Sequence, residues 1–326
     1  MSKEKKYGFI KYIALTAGVS AATFIATGAV MYRLVLSRSG INSKIANEVM
    51  KSRAKEKEAD DFRQGLENIL LNGAEWFDRT EKEELTIPNS EGKTLHASLI
   101  RPEEESNIFV ICIHGYSSEP RKMGIYAKKF VELGYNVLLP SLRGHAESED
   151  EFVTMGWKDR LDVIDWINRI VELYPDCKII LHGVSMGAAT TMMVTGEELP
   201  ENVRLAVEDC GYTTVWDIFS YKITNSMKLP KFPFLYTADR INRYKEDFSF
   251  KEASCIEQVK KSVTPTLFMH GEQDDFVPYE MLDKVFEAAA CEKEKVSIPD
   301  APHARSVCAH PEIYWQAVTD FIKKHI

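Results

Sequence analysis

Short apolar runs alternate with amphipathic stretches along the chain from about residue 84 onward. The runs that predict buried strands are 108–113, 135–139, 178–181, 203–207, 266–269 and 295–298. Between them, residues 122–133 and 157–173 repeat their apolar positions at helical spacing, which predicts helices. Residues 84–88 and 94–100 enclose a polar turn and predict a β-hairpin. This alternation predicts βαβ units, and therefore an α/β fold with a mainly parallel central sheet flanked by helices.

An uncharged stretch, residues 12–32, lies near the N-terminus between Lys11 and Arg33. As a helix it would be about 31 Å long, and the hydrocarbon core of a bilayer is about 30 Å thick. The stretch therefore predicts a transmembrane signal anchor that follows a basic flank, residues 1–11. Two alternatives stay open, namely a signal peptide that is cleaved near the small residues 26–29 and a helix buried in the protein core.

Basic side chains on both sides of this stretch bear on the sidedness of a single-pass protein in the cell membrane. Those before it are Lys3, Lys5, Lys6 and Lys11, and those after it are Arg33, Arg38 and Lys44. The small excess on the N-terminal side favours an extracytoplasmic body. Six cysteines without a CxxC pair argue for the opposite side, so the sequence leaves the sidedness open.

Charge is distributed unevenly along the chain, whose formal net charge is −8. Residues 1–57 carry 11 of the 41 Lys and Arg and 3 of the 49 acidic residues, so the remainder is strongly acidic. Proteins bind the phosphates of nucleic acids through Lys and Arg side chains, so an acidic body argues against nucleic acid as a partner. Helical spacing of apolar residues between Lys and Glu predicts a connector over residues 33–77, and the folded domain then covers residues 78–326.

Residue patterns that are typical of metal sites do not occur in the sequence. There is no HExxH motif, no CxxC pair and no Cys/His group at ligand spacing. We therefore expect neither a metal nor a cofactor. The sequence does not determine the oligomeric state.

The pentapeptide Gly183-Val184-Ser185-Met186-Gly187 follows a predicted strand and opens a helix rich in small residues. This G-x-S-x-G spacing in a strand-turn-helix context is typical of a nucleophilic serine on a tight, strained turn. The two glycines leave room for the helix to pack against the strand. The N–H of Met186 then faces an oxyanion that develops beside Ser185.

A serine hydroxyl needs a base to become nucleophilic, and the base needs an acid that orients it. Asp274 lies just past one predicted strand, and His303 lies on a loop after the last one. Parallel strands collect such residues at one edge of the sheet, so both are predicted to meet Ser185. Asp275 and Asp209 remain alternatives for the acid.

Five ordered motifs now support a resemblance. They are His114-Gly115-Tyr116, Arg143-Gly144-His145, Gly183-Val184-Ser185-Met186-Gly187, His270-Gly271-Glu272-Gln273-Asp274 with Val277-Pro278, and His303. The chain from about residue 85 resembles the α/β-hydrolase superfamily, and within it the serine esterase and monoacylglycerol-lipase-like branch, which includes membrane-anchored bacterial members.

This resemblance implies specific roles for the residues at the predicted site. Ser185 would be the nucleophile, His303 the base and Asp274 its orienting acid. The backbone N–H groups of Tyr116 and Met186 would form the oxyanion hole. Ala146 is a departure, because many relatives have glycine at this position of the Arg-Gly-His loop.

Residues 212–250 form an insertion between two predicted core strands and contain ten aromatic residues. In this fold such an insertion is usually a cap over the nucleophile, and we expect it to line an apolar acyl pocket. Tyr212 and Trp216, together with Tyr116, are the candidate substrate contacts. The alternative is that the rings only form the core of the cap itself. Pro230 and Pro233 predict a kinked or extended piece inside it.

The predicted function is hydrolysis of a carboxylic ester through an acyl-enzyme intermediate on Ser185. Lipid-derived esters are a reasonable substrate class because the predicted anchor places the enzyme at a bilayer. An aminopeptidase or acyltransferase on the same fold is an alternative, and a peptidase would need cap carboxylates such as Asp239, Glu246 or Asp247 to hold a substrate amine. A non-catalytic membrane-anchored binding module is the alternative from another class.

Overall fold

The structure, a computed structural model, describes residues 26–41 and 57–326, apart from the side chains of residues 57–61 and 63. Its strands are β1 (Glu83–Pro88), β2 (Thr94–Ile100), β3 (Ile108–Ile113), β4 (Asn136–Pro140), β5 (Lys178–Val184), β6 (Val203–Asp209), β7 (Thr266–Gly271) and β8 (Lys293–Ile298). They form one sheet in the order β1-β2-β4-β3-β5-β6-β7-β8. The strands from β3 to β8 pair in parallel, whereas β2 is antiparallel to both β1 and β4.

Helices cover both faces of this sheet. They span 26–36, Arg38–Ile41, Lys57–Arg79, Gly124–Glu132, Asp159–Leu173, Met186–Thr195, Val215–Tyr221, Phe234–Glu246, Cys255–Val259, Glu280–Ala288, Ser306–Ala309 and Pro311–His325, with a 3-10 turn at Pro120–Met123 and a π-helical turn at Lys222–Ser226. Because the central strands bury side chains on both faces, two apolar cores form, one on each side of the sheet. This explains why β3 and β5 are nearly continuous apolar runs.

The fold predicted from the apolar pattern is confirmed. The hairpin is β1 and β2, and each predicted strand is present with small shifts at its ends. The largest shift is at β5, which ends at Val184 instead of residue 181, and β8 begins at Lys293 instead of residue 295. Lys293 and Glu294 continue the pairing with β7, but they lie on an edge strand where charged side chains face water. An apolar pattern therefore does not detect them.

Four parallel strands end at the same edge of the sheet, and this edge carries the predicted chemistry. β3 ends at Ile113, β5 at Val184, β6 at Asp209 and β7 at Gly271. The insertion over residues 212–250, called the cap below, leaves the sheet at this edge just after β6. Its longest helix is Phe234–Glu246.

Residues 26–41, called the strap below, pack against the body beside the cap. Tyr32, Leu36 and Ile41 are buried in the core. The Tyr32 ring lies 5.4 Å from the Phe152 ring, and its hydroxyl donates to Asn242 Oδ1 at 3.3 Å. Backbone hydrogen bonds at Leu36 and Arg38 hold the strap against residues 151–153.

The predicted membrane span over residues 12–32 falls mostly on residues 1–25, which lie outside the described part of the chain. Within residues 26–41 and 57–326, no helix is both long enough and apolar enough to cross a bilayer. At the end of the predicted span Tyr32 packs among core residues, whereas Val30 is 58% exposed. Contact with the cap and the sheet thus accounts for part of the apolar pattern at this end.

The helix Lys57–Arg79 packs on the body over the second half of the predicted connector. Leu66 and Phe77 are buried against the core on one face of the sheet. A Cβ atom at Gly124 would collide with the carbonyl oxygen of Gly73, so two glycines allow this helix to approach the next one closely.

Candidate active site

Ser185 lies at the junction of β5 and the helix Met186–Thr195, with φ 59° and ψ −115°. A non-glycine residue at positive φ is strained, and such strain is typical of functional turns. The Ser185 N–H donates to Asp209 O at 2.8 Å and thereby ties the turn to the end of β6. A Cβ atom at Gly183 would collide with Gly187 O, and one at Gly187 would collide with Ile113 O. Only glycine at these two positions allows the turn to close.

The structure connects the three predicted triad residues by two successive hydrogen bonds through His303. Ser185 Oγ lies 2.8 Å from His303 Nε2, and His303 Nδ1 lies 2.7 Å from Asp274 Oδ2. Both distances are those of direct hydrogen bonds. The side chains come from the ends of β5, β7 and β8, as the parallel sheet predicts. In this arrangement His303 can accept the Ser185 proton while Asp274 orients its ring.

Asp274 is held as a carboxylate by the groups that surround it. Its Oδ1 accepts the backbone N–H groups of Phe276 and Val277, each at 2.8 Å. Its Oδ2 also lies 3.1 Å from His270 Nε2. Burial raises the pKa of this carboxyl, but attraction to His303 and hydrogen bonds from both histidines outweigh it and hold the pKa well below its ordinary value. The charged form is therefore the one that faces His303.

The alternative acids occupy different positions. Asp209 Oδ1 accepts a hydrogen bond from Ser306 Oγ at 2.9 Å, which ties the end of β6 to the segment after His303. Burial raises the pKa of Asp209 to about 7, so this carboxyl is much less acidic than Asp274. The Asp275 backbone carbonyl accepts from the Tyr221 hydroxyl in the cap. Asp274 is the residue of the three that the structure places on His303.

Phe276 and Lys222 form a second layer beside the base. The Phe276 ring stacks on the His303 ring, with centroids 4.6 Å apart and planes 22° apart. Lys222 Nζ lies 3.0 Å from the centroid of the Phe276 ring. Burial lowers the pKa of the Lys222 ammonium group to about 7, although Asp274 and Asp275 act in the opposite direction. A buried cation of the cap thus lies one ring away from the candidate base.

The loop after β3 passes directly by the nucleophile. A Cβ atom at Gly115 would lie 3.3 Å from Ser185 Cβ, so this glycine allows close approach of the loop. Tyr116 comes next, and its hydroxyl donates to Val35 O in the strap. Met186 is the first residue of its helix, where a backbone N–H has no partner within the helix. The two predicted oxyanion donors thus lie on the two segments that flank Ser185.

His114 and His145 support this loop. His114 Nε2 accepts the Leu142 N–H at 3.0 Å, and His145 Nε2 accepts the Ser117 N–H at 3.2 Å. Burial lowers the pKa of His114 to about 3 and that of His145 to about 4, so both imidazoles are neutral acceptors. His145 of the Arg-Gly-His motif therefore supports the loop after β3 through the Ser117 N–H and is not bonded to a triad residue.

The candidate substrate contacts of the cap lie elsewhere than expected. Tyr212 is buried, and its hydroxyl donates to Met155 O at 2.9 Å, so its polar group is satisfied in the core. Trp216 is partly buried and packs against Tyr236 at 5.1 Å. An apolar cavity lies between the cap and the strap. Its lining residues are Met31, Tyr32, Val35, Leu36, Phe219, Lys222, Ile223, Met227, Phe234, Leu235, Ala238 and Phe250. This lining includes neither Tyr212 nor Trp216 nor Tyr116.

Two of the three cap carboxylates that an aminopeptidase would need are engaged in other contacts. Asp239 Oδ1 accepts the Phe250 N–H at 2.7 Å. Glu246 is buried, with Oε2 3.2 Å from Lys158 Nζ. Asp247 is exposed at the end of the cap helix. The one charged residue in the cavity lining is instead the cation Lys222.

Cys210 completes a group of potential ligand atoms with Asp274 and His303, all within 4.8 Å of one another. Asp274 and His303 already bond each other, and His303 also bonds Ser185. Burial raises the pKa of the Cys210 thiol well above its ordinary value, so the protonated form prevails. This geometry fits a triad with a buried thiol beside it better than it fits a metal centre.

Sequence reasoning missed three residues of this site: His270 as a partner of Asp274, Phe276 on the base, and Lys222 in the cap. A signal exists for one of them, because Asp in an Asp-x-Phe turn commonly binds the N–H two residues on and so fixes where residue 276 lies. Lys222 gives no local signal, since its burial depends on Phe276, which is distant in sequence.

Comparison with known proteins identifies the family of the chain. Residues 124–326 match the model of the prolyl oligopeptidase family. The uncharacterized protein YqkD of Bacillus subtilis is 24% identical over 318 residues, which cover 96% of this chain and 97% of that protein. The thermostable monoacylglycerol lipase of Bacillus sp. strain H-257 is 23% identical over 68% of this chain and 93% of its own length.

A solved structure agrees on the fold. The Pyrococcus furiosus esterase Pf2001 superposes with a TM-score of 0.62 and 23% identity, and the match covers 76% of this chain and 93% of that one. Together with the strand order and the serine turn, the family match identifies the fold as that of the α/β-hydrolases. The chain is a hydrolase of this superfamily and belongs to the prolyl oligopeptidase family.

Proposed function

We propose that the protein is a serine esterase that hydrolyses carboxylic esters with an apolar acyl chain. The observation that carries this proposal is the aligned set of Ser185, His303 and Asp274 close to an apolar cavity between cap and strap. Lys222, which lines this cavity, contacts the Phe276 ring that stacks on His303. The Phe276 ring thus lies between the cavity-lining Lys222 and the candidate base.

The reaction proceeds in two steps on this geometry. His303 Nε2 takes the proton of Ser185 Oγ as the oxygen attacks the ester carbonyl, and the imidazolium is stabilised by Asp274. The N–H groups of Tyr116 and Met186 stabilise the oxyanion, and each such donor contributes about 2.7–4 kcal/mol to transition-state stabilisation. The alcohol leaves with the proton from His303. Water then attacks the acyl-enzyme by the same route and releases the acid.

The lining of the cavity favours an ester over a peptide with a free amine. A substrate ammonium group would meet the cation Lys222 there, while Asp239 and Glu246 are already bonded elsewhere. Names of relatives point the same way, since one is a monoacylglycerol lipase and another an esterase. The family name includes peptidases, so aminopeptidase and acyltransferase activity are the alternatives for the same triad.

Hydrolysis of p-nitrophenyl esters from acetate to palmitate by the full chain tests this proposal, with Ser185→Ala as the inactive partner. We expect turnover that depends on Ser185 and an optimum chain length set by the cavity. Phe219→Trp, which narrows the cavity, should shift that optimum to shorter acyl chains. If Ser185→Ala keeps its turnover and its circular dichroism spectrum is native, Ser185 is not the nucleophile. Faster release of naphthylamine from aminoacyl-naphthylamides than of nitrophenol from esters would favour the peptidase.

We also propose that the N-terminal region, residues 1–25, attaches the protein to the cell membrane. This proposal rests on the basic flank and on the absence of any charge between residues 12 and 25. Cell fractionation, with residues 1–25 deleted in a parallel sample, tests it. Full-length protein that stays with the soluble fraction would refute it.

A further inference from the structure

Aromatic and basic side chains share the outer face of the cap helix and of the loop before it. Phe232, Tyr236 and Tyr244 are 72%, 49% and 91% exposed. The Phe232 and Tyr236 rings contact each other at 5.8 Å, and Tyr236 and Tyr244 lie two helical turns apart. Exposed aromatic residues grouped in this way mark an interaction surface. We call this surface the outer cap face.

The outer cap face also has a charge opposite to that of the body. Residues 227–245 contain five basic residues and one acidic residue, whereas the body as a whole is strongly acidic. Lys228, Lys231 and Arg240 are exposed. Arg243 lies 3.7 Å from Glu252, and Lys245 packs over the Phe152 ring. A basic surface on an acidic protein selects a negatively charged partner.

The chain reaches this face from its apolar N-terminal region. The helix 26–36 packs on the cap helix so closely that a Cβ atom at Gly28 would collide with Thr237. Next to this contact Val30 is 58% exposed. Residues 12–25, which precede the strap, carry no charge. Helix 26–36 therefore begins beside the outer cap face, and the uncharged residues 12–25 precede it in the sequence.

We propose that the outer cap face docks on the surface of an anionic lipid bilayer. Aromatic rings at the headgroup level and basic side chains toward anionic lipid are the recognised chemistry of such a contact. The cavity between cap and strap is lined by residues from the two elements that border this face. The inference rests on the proposed function only in assigning a lipid ester to that cavity.

A pair of fluorescent reporters in the full chain tests the docking. The native cysteines at 112, 177, 210, 255, 291 and 308 are buried, so an added exposed cysteine is the one that labels. Tyr244→Cys places an environment-sensitive nitrobenzoxadiazole label on the outer cap face. Val263→Cys places it on a residue that is 87% exposed near the start of β7, at the opposite edge of the sheet.

On addition of phosphatidylcholine vesicles that contain phosphatidylglycerol, we expect a blue shift and brighter emission from the label at position 244 and no change at position 263. A chain held only by its N-terminal region would leave both labels in water, and that result would overturn the proposal. Equal responses at both positions would overturn it as well. If the emission of the label at position 244 changes with protein concentration in the absence of lipid, the outer cap face binds a second copy of the chain, and this result would overturn the proposal.

Charge reversal with a matched control tests the basic contribution. Lys228→Glu, Lys231→Glu and Arg240→Glu are combined in the Tyr244→Cys chain, and the control combines Arg79→Glu, Arg169→Glu and Lys323→Glu, which are exposed and remote from the cap. The lipid concentration for half-maximal response should rise at least about 100-fold for the cap variant. An equal rise for the control would show a response to net charge alone and would refute the surface.

Turnover of a soluble ester is measured on the same variants, so docking and catalysis are judged separately. The charge-reversed cap variant should lose docking but should hydrolyse p-nitrophenyl acetate at the same rate as the unreversed chain. Absence of docking in a chain that hydrolyses the ester would refute only this inference. Docking by a chain without Ser185-dependent turnover would refute only the proposed function.

Discussion

Replacing Lys222 by Met should stabilise the protein, because the ammonium group is buried without a hydrogen-bonding anion among the described contacts. Folding lowers the pKa of Lys222 from its ordinary 10.5 to about 7. At about 1.4 kcal/mol for each pH unit, this difference corresponds to about 5 kcal/mol of unfavourable free energy below pH 7. The lost contact with the Phe276 ring offsets about 1–2 kcal/mol of the gain. We therefore expect Lys222→Met to raise the free energy of unfolding by about 3 kcal/mol near neutral pH.

The sign of the pH dependence distinguishes this origin from better packing. Between the folded and unfolded pKa values, the unfolded chain holds a proton at Lys222 that the folded chain lacks, so the stability of the wild type rises with pH. The advantage of Lys222→Met should therefore be full at about pH 6 and should disappear by about pH 10.5.

Urea unfolding of both proteins across this range provides the measurement, with Lys323→Met as a control because that side chain is 75% exposed. The control should not differ from the wild type. A stability gain for Lys222→Met that does not change with pH would refute the electrostatic reasoning. A loss of stability at about pH 6 would show that the cation–ring contact outweighs the desolvation of the amine.

Three further substitutions test the site and its supports. Asp274→Asn should lower kcat by about 10⁴-fold with the fold intact, and Asp275→Asn, measured in the same ester assay, should have little effect. Because folding lowers the pKa of Asp274, its contribution to stability is present above about pH 4 and is lost as the pH falls further, so acid unfolding of Asp274→Asn should show a weaker pH dependence. Arg143→Met should cost about 3–5 kcal/mol in urea unfolding, since the buried Asp162 would lose its Arg143 Nε contact at 2.7 Å. Gly183→Ala should cost about 1–3 kcal/mol because its Cβ would meet Gly187 O, whereas Gly65→Ala, with open space around it, should be neutral or stabilising by thermal melting.

Features that depend on local sequence could be predicted in detail. The Ser185 turn needs glycine at two positions and a strand before it, and all of these lie within a few residues of each other. Asp274 and His303 follow strands whose apolar runs are evident, and parallel pairing then places both at one edge. The choice between Asp274 and Asp275 could not be made from spacing, because it depends on where a two-residue turn directs each side chain.

Features that depend on distant contacts could not be predicted. Lys222 is a lysine among aromatic residues in the sequence, and such a residue is usually solvated. Its Nζ packs on the ring of Phe276, which lies on a loop after β7 and is itself held by an Asp274 hydrogen bond. A cavity lined by the cap was expected from its aromatic content, yet four lining residues of the apolar cavity come from the strap. Tyr212 carries the same aromatic signal and is a core residue.

The N-terminal region shows why an apolar pattern does not by itself identify the environment of a segment. Hydropathy over residues 12–32 indicates that the segment avoids water, and a bilayer and a protein groove satisfy that requirement equally. Near its end Tyr32 packs into the core and Gly28 allows contact with the cap helix, while Val30 between them is 58% exposed. The uncharged residues that remain before position 26 are fewer than the roughly 20 that a spanning helix needs. The membrane attachment that we propose for residues 1–25 therefore involves an uncharged segment shorter than the predicted span over residues 12–32.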